Sequence, residues 1–240
     1  MPPKKKRTID YADVPETLDD HMFFGLQLDP EQIAFRNAIY SPDIDAVFVD
    51  ARAGTGKTTI AVATAVLMYH YGLCDGINYI VAANAESRQG YIPGDMFTKN
   101  LPYMTGLYQA LEIANEYPDK AIKGITPESD KEGYAFVTAE TGTFLRGSNI
   151  GGHGKKIVIV DEAQNFTVSE LRKTLTRICE GSKVIVIGHQ LQVDIPQHAS
   201  GFLPCMKHFH STGNPRFAFC SLNTCHRSLI AQVADEPWKE

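Results

Sequence analysis

The stretch VFVDARAGTGKTTIAVATAVLMY, residues 47–69, sets two glycines, a lysine and three threonines between an apolar run and a longer apolar segment. Phosphate binding needs that combination. Glycines let backbone N–H groups close around phosphate oxygens, and the first turn of a following helix adds free N–H donors and the positive end of its dipole. Lys57 is then expected to neutralise the β and γ phosphates and Thr58 to offer its hydroxyl to Mg²⁺, with Ala53, Gly54, Thr55, Gly56 and Thr59 completing the cradle. The strict pattern GxxxxGK[ST] opens on glycine; Ala51 stands there, the smallest replacement available.

A second constellation lies about a hundred residues on, where KIVIVDEAQN ends an apolar run in two consecutive carboxylates. Side chains at the carboxyl end of a buried strand reach the crevice where ligands bind. Asp161 is expected to hold Mg²⁺, usually through water, and Glu162 to orient and deprotonate the water that attacks the γ-phosphate. KVIVIGHQLQVD repeats the design, and Gln192 is the expected sensor of the γ-phosphate or lytic water. His189 reads as a local hydrogen-bonding group rather than a metal ligand or acid catalyst. The Cys and His residues between Cys205 and His226 suffice in number for zinc, yet their spacing fits no common finger, and buried packing of Cys220 is the preferred reading.

These side chains must be carried by strands and helices in alternation. Candidate strands are Ala46–Asp50, Asn78–Ala83, Tyr134–Ala139, Lys156–Asp161, Lys183–Gly188 and Phe217–Leu222, several apolar at consecutive positions as strands covered on both faces are. Helices are expected to begin near Pro30, Lys57, Tyr103, Val168 and Ser228. Thr167 and Glu170 have capping-box spacing, Leu171, Leu175 and Ile178 form a stripe, and Gly181 suits a left-handed stop. Residues 87–100 and 120–133 read as loops. The alternation predicts an α/β domain around a mostly parallel sheet sandwiched by helices.

Bulk properties narrow the class. The 240 residues suit one globular domain, with residues 1–20 a flexible polar tail opening on PPKKKR and residues 21–240 the folded unit. No run reaches the roughly 18 apolar residues of a membrane span, and no apolar signal core follows the charged start, so a cytoplasmic protein without membrane contact is expected. Five cysteines, an odd number, argue against a disulfide framework. A net charge of −5 argues against binding nucleic acid through overall charge while leaving room for a local basic groove.

With these motifs in place the chain resembles the PhoH family of P-loop ATPases, whose RecA-like fold is similar to the first motor domain of superfamily 1 helicases. AGTGKT, RQGYIPGDMFTKNLPYMTGLYQAL, FLRGSNIG, VIVDEAQN, LTRICEGSKVIVIG and QVDIP occur in family order, and the segment Gln89 to Leu111 is the most distinctive. The resemblance implies ATP hydrolysis with Mg²⁺ through Lys57, Thr58, Asp161, Glu162 and Gln192. It also sets Gln32 where a glutamine reads adenine in related helicases; as a residue, Gln32 equally fits the cap of a helix starting at Pro30. The chain departs from the family at Ser148 and Asn149, at His189 and near Ala83, where arginine, aspartate and arginine are usual.

A phosphoryl-transfer site gains about three to five orders of magnitude from an arginine on the developing charge. Arg227 in CHRSL or Arg146 in FLRG is expected to supply it, across a subunit boundary or over its own site. A homo-oligomer follows, with a hexameric ring as one form, and family resemblance also points to rings. The expected partners are ATP and single-stranded RNA or DNA, in a nucleotide-driven motor or switch. A regulatory ATP-binding module with little turnover, acting through protein partners, is the alternative. A small-molecule kinase ranks below both, because residues 120–133 contain no arginine for a lid.

Overall fold

Strict alternation of side chains along each strand explains why the sheet is buried on both sides. In β1 (Ala46–Ala51), Val47, Val49 and Ala51 enter one core while Ala46 and Phe48 enter the other. The same parity holds in β2 (Ile77–Val81), β4 (Ile157–Asp161) and β5 (Lys183–Gly188), so each strand feeds two apolar layers. The computed structural model describes residues 14–19, 23–82, 104–125, 134–142, 150 and 154–234. With β3 (Val137–Thr141) and β6 (Phe217–Leu222), six strands form one sheet in the order β3-β2-β4-β5-β1-β6, every pairing parallel. This is the α/β architecture of a P-loop NTPase.

The helix α1 (Pro30–Tyr40) starts on a full capping box, Asp29 with Gln32, and on a proline whose missing N–H costs nothing in the first turn. The next helix, α2 (Lys57–His70), is apolar almost all round from Ile60 to Met68, because the sheet, α1 and α3 (Thr105–Ile113) enclose it. A short α4 (Pro118–Ala121) opens the segment expected to be a loop from Lys120. On the opposite face α5 (Val168–Leu175) and α6 (Phe202–Ser211) pack together, and α7 (Leu229–Ala234) follows β6.

Several expectations need correction. The capping box at Thr167 and Glu170 is present, with both reciprocal bonds, but α5 stops at Leu175, before Ile178. Ile178 instead bridges Ile150, and Gly181, at φ +81°, serves the turn into β5. Helix α6 was not foreseen; its Pro204 sits in the first turn, where no intrahelical N–H bond is lost. Residues 14–19, assigned to the tail, lie on α1: Tyr40 Oη donates to Pro15 O at 2.6 Å, and the buried Arg36 guanidinium donates to the carbonyls of Leu18 and Asp19. The loop at 87–100 lies outside the described residues, as does Arg146.

Candidate nucleotide site

Between β1 and α2 the chain needs two left-handed residues, and both are glycines: Gly54 at φ +73° and Gly56 at φ +77°. Glycine, with no Cβ, takes that conformation at no steric cost. Thr55 between them is buried, its hydroxyl donating to Arg52 O at 2.9 Å and its carbonyl accepting from Gln32 Nε2 at 2.9 Å. The loop is thus held from both sides, and Lys57, Thr58 and Thr59 form the first turn of α2, whose N–H groups lack intrahelical acceptors. Ala53 lies in the turn leading in.

Strand parity carries Asp161 to the α2 side of the sheet, since it follows Ile157 and Ile159, which enter that core. Asp161 is 2% exposed and meets Thr58 across 103 residues of chain, Thr58 Oγ1 donating to Asp161 Oδ2 at 2.7 Å. The same oxygen accepts from Tyr79 Oη at 2.7 Å, while Asp161 Oδ1 accepts from Glu162 N at 2.9 Å. Burial, then the charge of Asp161, pushes the Tyr79 phenol well above its usual range, so it stays a donor. Tyr79 is a site residue the sequence reading missed; in a strand of apolar residues its hydroxyl carried no visible signal.

Glu162 leaves the strand in a left-handed conformation, φ +51° and ψ +41°, which breaks the face-to-face alternation of the strand at this residue. Burial raises its carboxyl above the usual range and Asp161 raises it further; the nearby Lys57 charge draws it back. Gln164 Nε2 donates to Glu162 Oε2 at 2.5 Å, and Gln164 Oε1 accepts from His189 N at 3.1 Å. Gln164 therefore bridges the carboxylate to the end of β5, a link visible in sequence only as the letter after DEA. Gln192, the expected sensor, lies in the turn after β5, its N–H donating to His189 O at 3.2 Å. Buried His189 pairs with Asp50 Oδ1 at 3.1 Å, a local hydrogen-bonding role. Asn165 and Asp194 exchange reciprocal bonds of 2.7 and 2.8 Å, fastening the same loop to the end of β4.

A strap formed by residues 223–227, directly after β6, crosses the loop. Its His226 N donates to Gly54 O at 2.9 Å, and the side chains of Arg227 and Cys225 lie so close that a Cβ on Gly54 would meet Arg227 Cγ at 2.6 Å and Cys225 Sγ at 2.8 Å. The strap is tied to α1, where Glu31 accepts from the N–H and side-chain amide of Asn223 at 2.6 and 3.0 Å and His226 pairs with Asp29 at 2.8 Å. These Asn223 bonds, the side-chain one first, hold Glu31 below the usual carboxylate range. Arg227 is thus placed over the phosphate loop of its own chain.

The comparison that decides the family is the match of the PhoH-like protein family to residues 27–236. The chain belongs to the PhoH family. PhoH2 of Bacillus subtilis is 30% identical over 224 residues, which cover 90% of this chain and 48% of that protein. A PhoH-like protein of Synechocystis is 36% identical over 155 residues, covering 64% of this chain and 44% of that one. The chain spans about half the length of these relatives. A DEAD box protein from Methanococcus jannaschii is similar at a TM-score of 0.47 and 12% identity, over 87% of this chain and 55% of that structure.

For a PhoH-family chain the site has the chemistry of nucleotide binding. Thr58 and Asp161 present hard oxygen atoms side by side, which suits Mg²⁺, and the loop glycines add no side chain of their own between the backbone and a phosphate. Gln32 spends its amide on the α1 cap, where Asp29 N donates to Oε1 at 3.1 Å, and on Thr55 O. The cysteines are free, and burial pushes the Cys205 and Cys220 thiols up to about 11. No helix among the described residues is long and apolar enough to cross a membrane.

Proposed function

We propose that the unit formed by residues 21–240 binds ATP with Mg²⁺ and hydrolyses it, driving a motor or switch that acts on single-stranded RNA or DNA. The observation that carries this reading is the 2.7 Å bond from Thr58 to Asp161, which joins the phosphate loop to the acidic strand end. Magnesium, when bound, supplies charge neutralisation between the phosphates. Thr58 and Asp161 would hold it, Lys57 would draw the β and γ phosphates, and Glu162 would take the proton of the attacking water. The raised carboxyl of Glu162 suits a base, since a pKa nearer the working pH improves proton transfer. Gln192, on the loop locked to Gln164, Asn165 and Asp50, is assigned to sense the γ-phosphate side.

Arg227 is assigned to offset charge on the transferred phosphoryl group, supported by its position against Gly54. A homo-oligomer, with a hexameric ring as one form, is part of the proposal, as is a cytoplasmic location. The strap lying on the phosphate loop supports a second reading, a regulatory module whose strap is reordered by ATP with little turnover.

ATP hydrolysis by the intact chain and by Glu162→Gln, each with and without single-stranded RNA and DNA, tests both. Turnover that is lost in the variant and raised by one polymer establishes the motor and names its track; tight ATP binding without turnover in any condition selects the module. Arg227→Ala should slow turnover roughly a hundredfold or more while ATP binding stays near wild type. Unchanged turnover removes Arg227 from the mechanism.

A further inference from the structure

We infer that Tyr79 is a positioning residue for the metal site, its hydroxyl fixing the Asp161 carboxylate before Mg²⁺ arrives. This deepens the proposed function and rests on it. Tyr79 is 2% exposed and reaches along the sheet: its register partner is Ile159, and its hydroxyl meets the carboxylate two residues further on. Ile77, Val81, Ile157 and Ile159, its same-face neighbours on β2 and β4, are aliphatic. Packing in this layer is satisfied without a hydroxyl.

The lone pairs show what the hydroxyl does. An ionised carboxylate offers about four acceptor sites. In Asp161, Tyr79 and Thr58 occupy the two on Oδ2, and Glu162 N occupies one on Oδ1. The remaining lone pair belongs to Oδ1, so that oxygen is left to face a metal or its water. Donation by Tyr79 also holds Oδ2 where the Thr58 hydroxyl donates its hydrogen, so Thr58 keeps its oxygen lone pairs for a metal. Partners behind a metal ligand that orient it in this way typically govern affinity by about 10–100-fold.

Binding of a fluorescent ATP analogue to the full chain, titrated with Mg²⁺, tests the role. Tyr79→Phe keeps the ring and removes the hydroxyl. It should bind the analogue as wild type does without Mg²⁺, and should raise the half-saturating Mg²⁺ concentration by about tenfold or more. Tyr79→Leu loses both ring and hydroxyl; it should shift the Mg²⁺ titration as far as Tyr79→Phe while melting at a lower temperature. A titration of Tyr79→Phe that superimposes on wild type overturns the inference alone, as does a shift that follows the loss of stability rather than of the hydroxyl. Nucleotide binding by the wild type that ignores Mg²⁺ overturns the metal site and this inference with it.

Discussion

Glu162 combines two costs in one residue. Its backbone sits in the left-handed region at φ +51°, and its carboxyl is buried beside Asp161. Strain of the first kind costs on the order of 1–3 kcal/mol for a residue with a side chain, and it persists where surrounding structure over-determines it. The gain is placement: in an extended strand end the two carboxylates would face opposite sides of the sheet, whereas the left-handed step brings Glu162 within reach of both Gln164 and the Lys57 charge. Glu162→Asn, which tolerates the conformation and carries no charge, should stabilise the fold by about 1 kcal/mol in denaturant unfolding while abolishing turnover. Equal or lower stability would show that strain and desolvation at Glu162 are already relieved by its neighbours.

At the scale of elements, the start of α1 is a junction. Asp29 and Glu31 hold the strap, and Gln32 holds the phosphate loop. Because the Gln32 amide is committed to Asp29 N and Thr55 O, removing it should loosen the loop rather than blind a base reader. Gln32→Ala is expected to weaken ATP and GTP binding by the same factor in equilibrium titration. A loss confined to ATP would show that the amide releases the cap to read adenine. The cap of α5 is independent of nucleotide: Thr167→Ala removes the acceptor for Glu170 N and should cost about 1 kcal/mol of stability with nucleotide affinity unchanged.

Across the whole molecule, the amino-terminal end of the sheet gathers charge far from the site. Lys183 starts β5, donates to Ser41 O at 2.5 Å behind α1, and lies near Asp45, which pairs with Arg216 ahead of β6. Burial pushes the Lys183 amine down to about 8 from 10.5. The folded state therefore releases this proton first, and between these values the unfolded chain binds more protons, so stability rises with pH. The buried thiols of Cys74, Cys205 and Cys220, pushed up to about 11 from 9.0, act in the opposite sense at the alkaline end. Comparison with Lys183→Met cancels them. Wild-type stability minus that of the variant should grow by about 1 kcal/mol between roughly pH 7 and 9 in chemical unfolding. A flat difference would show the amine to be solvated.

Five of the strands and the phosphate loop were legible because their signals are local; β3, expected at Tyr134–Ala139, runs Val137–Thr141 through the more polar VTAET. A buried parallel strand needs a run of apolar residues, as in Ile157–Asp161, and the loop needs glycine wherever φ is positive, as at Gly54 and Gly56. The capping boxes at Asp29 and Thr167 span only three residues and were equally readable. Helix α6 was hidden by Pro204, whose effect depends on its place in the turn, and α5 ended short of Ile178 because Ile150 claims that residue. Other features exist only through long-range contact. Tyr79 on Asp161, Gln164 between Glu162 and His189, and the strap on Gly54 join residues whose neighbours in sequence give no hint of the partner. Strand parity and sheet order bring those groups together, since hydrogen bonds at a strand end depend on which strands lie side by side, and that order is set by tertiary packing.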